Sequence, residues 1–156
     1  MEKLWAPWRN KYILSEKNSR CIFCGNRTDK RDKARYIIDR TAHSFSMLNL
    51  YPYNNGHIMV APFRHVRQLD GLSEEELIDL IKLVRKTKTV LDKKLNPHGY
   101  NIGMNIGKVS GAGFAGHIHI HIVPRWNGDT NFMPIISDTK VMAASLDAMM
   151  KKLRVD

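Results

Sequence analysis

Histidine and isoleucine alternate in one short stretch of the chain, which reads Gly-His-Ile-His-Ile-His-Ile-Val-Pro from Gly116 to Pro124. A period of two predicts a β-strand, because successive side chains of a strand point to opposite faces. The β-branched isoleucines suit a buried face, which leaves His117, His119 and His121 together on the other face. Histidine is the side chain most easily used for acid–base, nucleophilic or metal chemistry near neutral pH. The stretch therefore predicts a functional site on one face of a sheet.

The spacing of these histidines divides their roles. Side chains two apart on a strand are separated by about 6.6 Å of rise, and side chains four apart by about 13 Å. Two neighbouring imidazoles can converge on one metal ion, whereas three in a row cannot easily do so. At least one of the three histidines therefore has a role other than metal binding.

The length of 156 residues corresponds to one ordinary domain. A hydrophobic content of 43% supports a core that does not depend on disulfides. The chain has no run of about 18 apolar residues, and its first residues lack the basic-then-apolar pattern of a signal peptide. We therefore expect a single domain over residues 1–156, located in the cytoplasm and without a membrane partner.

The formal net charge of +10 favours anionic partners such as nucleic acid, a membrane surface or small phosphorylated ligands. The basic residues are scattered, with only short clusters such as Lys86/Lys88 and Lys93/Lys94. No aromatic-and-basic nucleic-acid module can be recognised. Nucleic acid is therefore the less favoured partner, although charge alone does not choose between a polymer and a nucleotide.

Two cysteines, Cys21 and Cys24, are the only ones in the chain. A two-residue spacer lets both thiolates bind one metal ion from a tight turn, which is typical of zinc sites. Such a site needs two more ligands, and His117 and His65 are both candidates. A redox dithiol is the alternative, but the sequence around the cysteines lacks the βαβ context of a thioredoxin-like motif.

Periodicity and turn signals predict several strands and one long helix. Strands are predicted at residues 36–38, 44–50, 57–61 and 99–107, in addition to the histidine strand. A capping box at Ser73-Glu74-Glu75-Glu76 opens the long helix, and Asn96-Pro97 ends it. The predicted apolar stripe of this helix is Leu77, Leu80, Ile81, Val84, Leu91 and Leu95. A weaker helix is predicted over residues 141–153.

Three segments can be distinguished along the chain. Residues 1–20 carry Trp5, Trp8 and Tyr12 among basic residues, which is too aromatic for a disordered tail and predicts an ordered N-terminal arm. Residues 21–125 form the predicted core, with the cysteine pair and the histidines. Residues 126–156 form a C-terminal segment.

A loop rich in glycine, alanine and serine leads directly into the histidine strand. Backbone N–H groups of such a loop can turn inward and hold phosphate oxygens, and Ser110, Gly111 and Gly113 are the candidates. An ordinary hairpin connection of small residues is the alternative. The neighbouring histidines favour phosphate binding.

A phosphate-binding loop beside clustered imidazoles indicates phosphoryl or nucleotidyl transfer. An uncharged imidazole can attack phosphorus and form a covalent phosphoramidate, which splits one difficult displacement into two easier ones. Neighbouring imidazoles would hydrogen-bond the phosphate oxygens. We predict His119 as the nucleophile, because it has a partner on either side, with His121 and His57 as flanking donors.

These residues resemble a known family, the HIT (histidine triad) superfamily. The motif is carried by His117-Ile118-His119-Ile120-His121-Ile122-Val123, where histidine alternates with apolar residues and one more apolar residue follows. The likeness continues through Leu48-Asn49, Gly56-His57-Ile58-Met59-Val60, the long helix and Asn105. The bacterial diadenosine tetraphosphate phosphorylase-like branch is resembled in Leu4-Trp5-Ala6-Pro7-Trp8-Arg9, Asn49-Leu50-Tyr51-Pro52-Tyr53-Asn54 and Pro124-Arg125-Trp126.

The resemblance implies an α+β, HIT-like fold, with a five-stranded antiparallel sheet, one long helix and a C-terminal helix, paired as a homodimer. It also implies that a nucleoside monophosphate is transferred from a dinucleoside polyphosphate onto the middle histidine, here His119, and released to water or inorganic phosphate. The alternatives are a nucleoside phosphoramidate or acyl-nucleotide hydrolase, and a nucleotide-binding protein with little turnover.

The resemblance also assigns residues by position. Asn49 matches the residue that holds the ribose hydroxyls, and the phosphate contacts match His57, Asn105 and His121. Family members with the two-cysteine motif bind structural zinc through two cysteines and two histidines. The ligands this implies are Cys21, Cys24, His65 and His117.

Some positions depart from the family pattern. Many members place a Gln, Ser or Thr just ahead of the triad to contact the leaving group, where this chain has Gly113-Phe114-Ala115. His43 and His98 match no functional position, and we predict that they are structural or surface residues.

Overall fold

The computed structural model describes residues 21–26, 28, 31–107, 109–130 and 142–154. Along these residues the elements are β1 (Ile37–Arg40), β2 (Ser44–Leu48), β3 (Ile58–Pro62), α1 (Glu74–Leu95), β4 (Gly99–Met104), β5 (Ile120–Arg125) and α2 (Leu146–Leu153). The N-terminal arm predicted over residues 1–20 lies outside the described residues. No helix within the described part is long and apolar enough to cross a membrane.

All five strands join one sheet in the order β1-β2-β3-β5-β4, and every neighbouring pair is antiparallel. The chain leaves β3, forms α1 and β4, and then returns to place β5 between β3 and β4. Met59 on β3 pairs with His121 on β5, so the turn before β3 lies next to the histidines. The predicted α+β class, with its five-stranded sheet and two helices, is confirmed.

The two faces of the sheet belong to different apolar clusters. One cluster holds Ile118, Ile120 and Ile122 together with buried leucines of α1. The other consists of Phe23, Ile37, Phe45, Met47, Met59 and Ala61. The isoleucines of the alternating stretch therefore face the helix, as their pattern predicted, and the histidines face away from it.

The histidine strand is shorter than the alternation predicted, because β5 begins only at Ile120. His117 and His119 precede the strand. Their segment is held instead by the loop after β3, where the Ile118 N–H donates to the Val66 carbonyl at 2.6 Å. This contact is distant in sequence, so local periodicity could not reveal it.

Helix α1 begins and ends as predicted. The Ser73 side chain accepts from the Glu76 N–H, and the Glu76 carboxylate accepts from the Ser73 N–H, which completes the capping box. Asn96 adopts the left-handed conformation with φ 47° and ends the helix. Helix α2 starts at Leu146 with Ser145 as its N-cap, later than the predicted start at residue 141.

The prediction that Ile81 belongs to the buried apolar stripe of α1 was wrong. Ile81 is 56% exposed, and the buried stripe runs instead through Leu80, Leu83, Thr87 and Leu91. Each residue of an α-helix turns about 100° from the one before it. Ile81 therefore points to one side of the stripe that is centred on Leu80.

A tight turn fixes the position of His57. Gly56 has φ +72°, and a Cβ there would lie 2.5 Å from Leu95 Cδ1, so the turn packs against the end of α1. The Asn54 side-chain amide donates to the Pro124 carbonyl at 3.0 Å. The turn is thus tied to both α1 and β5, and it places His57 at the start of β3.

Candidate active site

The three predicted catalytic histidines lie together on the sheet face opposite α1. His57 Nε2 is 2.9 Å from His121 Nδ1, and the ring centroids of His119 and His121 are 4.8 Å apart. His57 is fully buried, His119 is 5% exposed, and His121 is partly exposed. The fold therefore assembles an imidazole cluster that opens to solvent near His121.

The ring of His119 is oriented by a backbone carbonyl. His119 Nδ1 lies 2.8 Å from the carbonyl oxygen of His117. A carbonyl can only accept, so Nδ1 carries the proton and the lone pair of neutral His119 lies on Nε2. Burial lowers the pKa of His119, against the opposing effect of this hydrogen bond. His119 therefore presents an uncharged nitrogen with a free lone pair.

His57 and His121 are also held neutral. Burial, reinforced by the neighbouring His121, lowers the pKa of His57 to about 3. Burial, reinforced by His119, lowers the pKa of His121 to about 4. The backbone N–H of Tyr53 donates to His57 Nδ1 at 3.0 Å. The pair is uncharged near neutral pH and fixed from the turn.

Two aromatic side chains contact the imidazoles, and neither was predicted from the sequence to have a role. Phe23, only 1% exposed, has its ring centroid 5.0 Å from that of His117 and 4.9 Å from that of His119. Tyr53 is half-exposed and lies 4.7 Å from His57 and 5.8 Å from His121. Neither aromatic belongs to a periodic pattern. Their position beside the cysteines and in the turn was the only available signal.

Beside the imidazole cluster lies a candidate metal site. The ligand atoms of Cys21, Cys24, His65 and His117 all lie within 4.8 Å of one another. His117 Nδ1 is 3.4 Å from Cys21 Sγ and 3.7 Å from Cys24 Sγ, and His65 Nδ1 is 3.1 Å from Cys24 Sγ. The edges of a tetrahedral Cys₂His₂ zinc site are roughly 3.3–3.8 Å. His65 and His117, the two candidates for the remaining metal ligands, both lie at this site.

The His117 ring is oriented as a metal ligand, and the Cys24 thiol lacks the lowered pKa of a redox cysteine. His117 Nε2 lies 2.9 Å from the Pro62 carbonyl, which can only accept. The lone pair of His117 is therefore on Nδ1, which faces the two sulfurs, and such a second hydrogen bond is usual for a metal-bound histidine. Desolvation, with the neighbouring Cys21, raises the pKa of Cys24 to about 11. A reactive redox cysteine has a lowered pKa instead.

Of the residues predicted to bind nucleotide, Asn49 contacts the imidazole cluster directly. Asn49 is buried, with its side-chain nitrogen 3.4 Å from His57 Nδ1 and its Oδ1 accepting from the Tyr51 N–H. Asn105 is partly buried, just beyond β4. Gly111, Gly113 and Ser110 lie in an exposed turn before the histidines. The Ser110 hydroxyl donates within that turn, to the Gly107 carbonyl at 2.7 Å.

His43 and His98 are both exposed. The His98 Nδ1 accepts from the Asn127 N–H at 2.9 Å. Their placement agrees with the prediction that they are structural or surface residues.

Comparison with known proteins identifies the family. The family model of the HIT domain matches residues 30–128. This chain belongs to the HIT family. An AP-4-A phosphorylase of Mycobacterium tuberculosis (strain CDC 1551 / Oshkosh) is 36% identical over 150 residues, which cover 91% of this chain and 77% of that protein.

Two further proteins show the range of HIT family relatives. The adenosine 5'-monophosphoramidase hnt1 of Schizosaccharomyces pombe is 34% identical over 107 residues, covering 69% of this chain and 75% of that protein. A Zn-bound histidine triad family protein from Mycobacterium smegmatis shares the fold with a TM-score of 0.66 at 23% identity, covering 86% of this chain and 90% of that chain.

Proposed function

We propose that this HIT protein is a nucleotidyl transferase or hydrolase that cleaves dinucleoside polyphosphates through a covalent intermediate on His119. The observation that carries the proposal is the orientation of His119, whose Nδ1 donates to the His117 carbonyl and leaves the Nε2 lone pair free. The similarity to an AP-4-A phosphorylase over 91% of the chain supports the substrate class.

In the proposed reaction, His119 Nε2 attacks the α-phosphorus of the nucleotide and the leaving nucleoside polyphosphate departs. The imidazole gains positive charge as the bond forms, and the His117 carbonyl stabilises that charge by accepting from Nδ1–H. Water or inorganic phosphate then attacks the phosphorus and releases His119. Burial of the cluster supports the first step, because it keeps the nucleophile uncharged.

The flanking residues would hold the substrate. We assign His57 and His121 to the phosphate oxygens, with Asn105 nearby, and Asn49 to the ribose hydroxyls. Backbone N–H groups around Ser110, Gly111 and Gly113 would hold the remaining phosphates.

Zinc is the metal that the four candidate ligands fit best. Two thiols, the Nδ1 lone pair of His117, the Nδ1 atom of His65 beside Cys24 Sγ, and separations near those of a tetrahedral site match its preferences. Bound there by Cys21, Cys24, His65 and His117, the ion would have a structural role, since all four positions are taken by protein. Metal analysis should find about one zinc per chain. Cys24→Ser should lose it, whereas His43→Ala should keep it.

A homodimer is the assembly we propose. Strand β4 is an edge of the described sheet, because it pairs only with β5. It carries Ile102, which is 48% exposed, and an open edge with exposed apolar side chains is suited to pairing. Light scattering should give twice the chain mass. Ile102→Lys should lower the measured mass towards that of the monomer. Leu69→Lys, at another exposed apolar site, should leave the mass unchanged.

The decisive experiment identifies the products from diadenosine tetraphosphate, with and without inorganic phosphate. ATP plus ADP only with phosphate would establish phosphorolysis, and ATP plus AMP without it would establish hydrolysis. His119→Ala should abolish both, while His98→Ala, at an exposed histidine, should retain them. Mass spectrometry of quenched enzyme should find one AMP moiety on His119. Unchanged turnover in His119→Ala would refute the proposal.

The main alternative is cleavage of nucleoside phosphoramidates. It is favoured by the similarity to an adenosine 5'-monophosphoramidase, which spans 69% of this chain. Adenosine phosphoramidate is therefore the comparison substrate, and the two substrates differ in the leaving group that the site must release.

A further inference from the structure

A chain of hydrogen bonds runs from the backbone of the turn into the imidazole cluster. The Tyr53 N–H lies 3.0 Å from His57 Nδ1, and His57 Nε2 lies 2.9 Å from His121 Nδ1. A backbone amide can only donate. The first contact therefore fixes His57 Nδ1 as an acceptor. The positions of the protons on His57 and His121 follow from this contact.

The proton of neutral His57 must then be on Nε2, which donates to His121 Nδ1. Because His121 Nδ1 accepts, the proton of neutral His121 is on its Nε2, the nitrogen away from His57. The Asn49 side-chain nitrogen lies 3.4 Å from His57 Nδ1 and 3.5 Å from His57 Nε2, so the order of protons rests on the Tyr53 amide alone. The Asn49 N–H donates to the His57 carbonyl at 2.9 Å, which holds the turn in place.

A second proton on His121 would break this order. Protonated His121 carries Nδ1–H, so His57 Nε2 would have to accept and His57 Nδ1 would have to carry the proton. That proton would face the Tyr53 N–H, donor against donor. Among the described residues, those placed against His121 are His119 on its own segment, His57, the Tyr53 ring, and Met59 and Gly103 on the neighbouring strands. None of them is negatively charged, so none favours the protonated form.

We propose that the Tyr53 backbone amide holds His121 as a neutral Nε2–H donor, and that the site therefore selects nucleotides whose leaving group departs without a proton. This inference rests on the proposed function. The chemical class it names is the phosphoanhydride, as in a dinucleoside polyphosphate, rather than the phosphoramidate.

Cleavage of a phosphoanhydride by His119 needs no proton from His57 or His121. The His119 Nε2–phosphorus bond forms, the bond from phosphorus to the bridging oxygen breaks, and its electron pair stays on that oxygen. A phosphate has a second pKa of about 6, so the leaving phosphate is stable as an anion at neutral pH. An amine leaving group departs only after its nitrogen is protonated. His121 can hydrogen-bond phosphate oxygens but cannot readily supply that proton.

The first test reads the tautomers directly and does not depend on activity. Long-range ¹H–¹⁵N NMR of protein with ¹⁵N-labelled histidine should show His57 and His121 as neutral Nε2–H tautomers at pH 7 and at pH 5.5. His57→Gln and His121→Gln assign the signals. A protonated His121, or His57 with its proton on Nδ1, at either pH would overturn the inference.

The second test compares leaving groups. Without acid catalysis, kcat/KM for adenosine phosphoramidate should be lower than for diadenosine tetraphosphate by about 10²–10⁴-fold. Equal values would overturn this inference and leave the proposed function standing. Cleavage of neither substrate would refute both.

A matched pair of variants isolates the amide from the ring. Tyr53→Pro removes the N–H and the ring, whereas Tyr53→Ala removes only the ring. The ratio of the two kcat/KM values should move towards the phosphoramidate by at least about tenfold in Tyr53→Pro relative to Tyr53→Ala. An identical ratio in two folded variants would overturn the role of the amide. Should Tyr53→Pro fail to fold, the NMR assignment on the unaltered chain still decides.

Discussion

Single hydrogen bonds to backbone groups determine what each histidine of the cluster can do. His117 and His119 each donate to a carbonyl, through Nε2 and Nδ1 respectively, so their lone pairs point in different directions. The His117 lone pair faces the two thiols, and the His119 lone pair is the one proposed to attack the nucleotide. Two histidines only two residues apart can thus serve separate tasks, and the hydrogen bonds, rather than strand spacing, separate them.

Phe23 links these two tasks, because its buried ring packs on both His117 and His119. Replacing it with leucine should let the His119 ring move, and displacements near 1 Å can lower turnover by about 10²-fold. We expect Phe23→Leu to lower kcat by about 10- to 100-fold with little change in KM and with bound metal retained.

The control for this variant is Phe63→Leu, since Phe63 stacks on Phe45 at 5.2 Å, and among the described ring pairs it is Phe23 that packs on His117 and His119. Steady-state kinetics and metal analysis of both variants provide the measurement. Equal loss of kcat in Phe63→Leu, or loss of the metal in Phe23→Leu, would contradict the positioning role.

At the scale of elements, the start of α1 combines a helix cap with an ion pair. The Glu76 carboxylate accepts from Ser73 N–H and from Arg64 Nε and a terminal nitrogen, at 2.6–2.9 Å. Hydrogen bonding to Arg64, against the effect of desolvation, lowers the pKa of Glu76 to about 2. The cap therefore stays charged over the whole range in which the protein would be studied.

Glu76→Gln should destabilise the protein by about 1–2 kcal/mol, because the amide keeps part of the cap but loses the charge-assisted bonds. The half-exposed Arg64 keeps the loss from being larger. Urea unfolding of the unaltered protein and of Glu76→Gln measures this loss of stability. Glu75 lies in the same turn and is exposed. Glu75→Gln should therefore change the free energy of unfolding by less than about 0.5 kcal/mol. Similar losses in both variants would show that the Arg64 contact contributes nothing.

The elements that could be predicted from the sequence are those with local signals. The capping box and Asn96-Pro97 bound α1 correctly, since caps depend on residues within one turn. The isoleucine alternation identified the buried face of β5. The start of β5 could not be predicted, because the preceding segment is held by Val66, about fifty residues away in the chain.

The candidate site followed the same division. His119 and the cysteines were identified from motifs, because the residue types that chemistry needs lie close in sequence. The closeness of His57 to His121 depends on β3 pairing with β5, and strand order cannot be read from local periodicity. Phe23 and Tyr53 lack any periodic pattern, so only the folded chain reveals that they pack on the imidazoles.

At the scale of the whole molecule, the buried imidazoles make stability depend on pH. The pKa of His57 is lowered to about 3 and that of His121 to about 4, from an ordinary value of 6.5. Between pH 6.5 and about 4 the unfolded chain binds protons that the folded chain does not. Acidification therefore favours unfolding in this window. The stability is fully present above pH 6.5 and is lost as pH falls towards the folded pKa values.

The free energy of unfolding should fall by up to about 1.4 kcal/mol per pH unit for each of the two histidines. Urea unfolding at pH 7.5, 6.5 and 5.5 tests this above the range where carboxylates titrate. Comparison with His57→Asn removes the His57 contribution, while burial, the largest cause of the lowered His121 pKa, remains. The free energy of unfolding should fall less steeply with pH in the variant, by up to about 1.4 kcal/mol per pH unit. Equal slopes would mean that His57 binds a proton as readily in the folded chain as in the unfolded chain, against the hydrogen-bond order that begins at the Tyr53 amide.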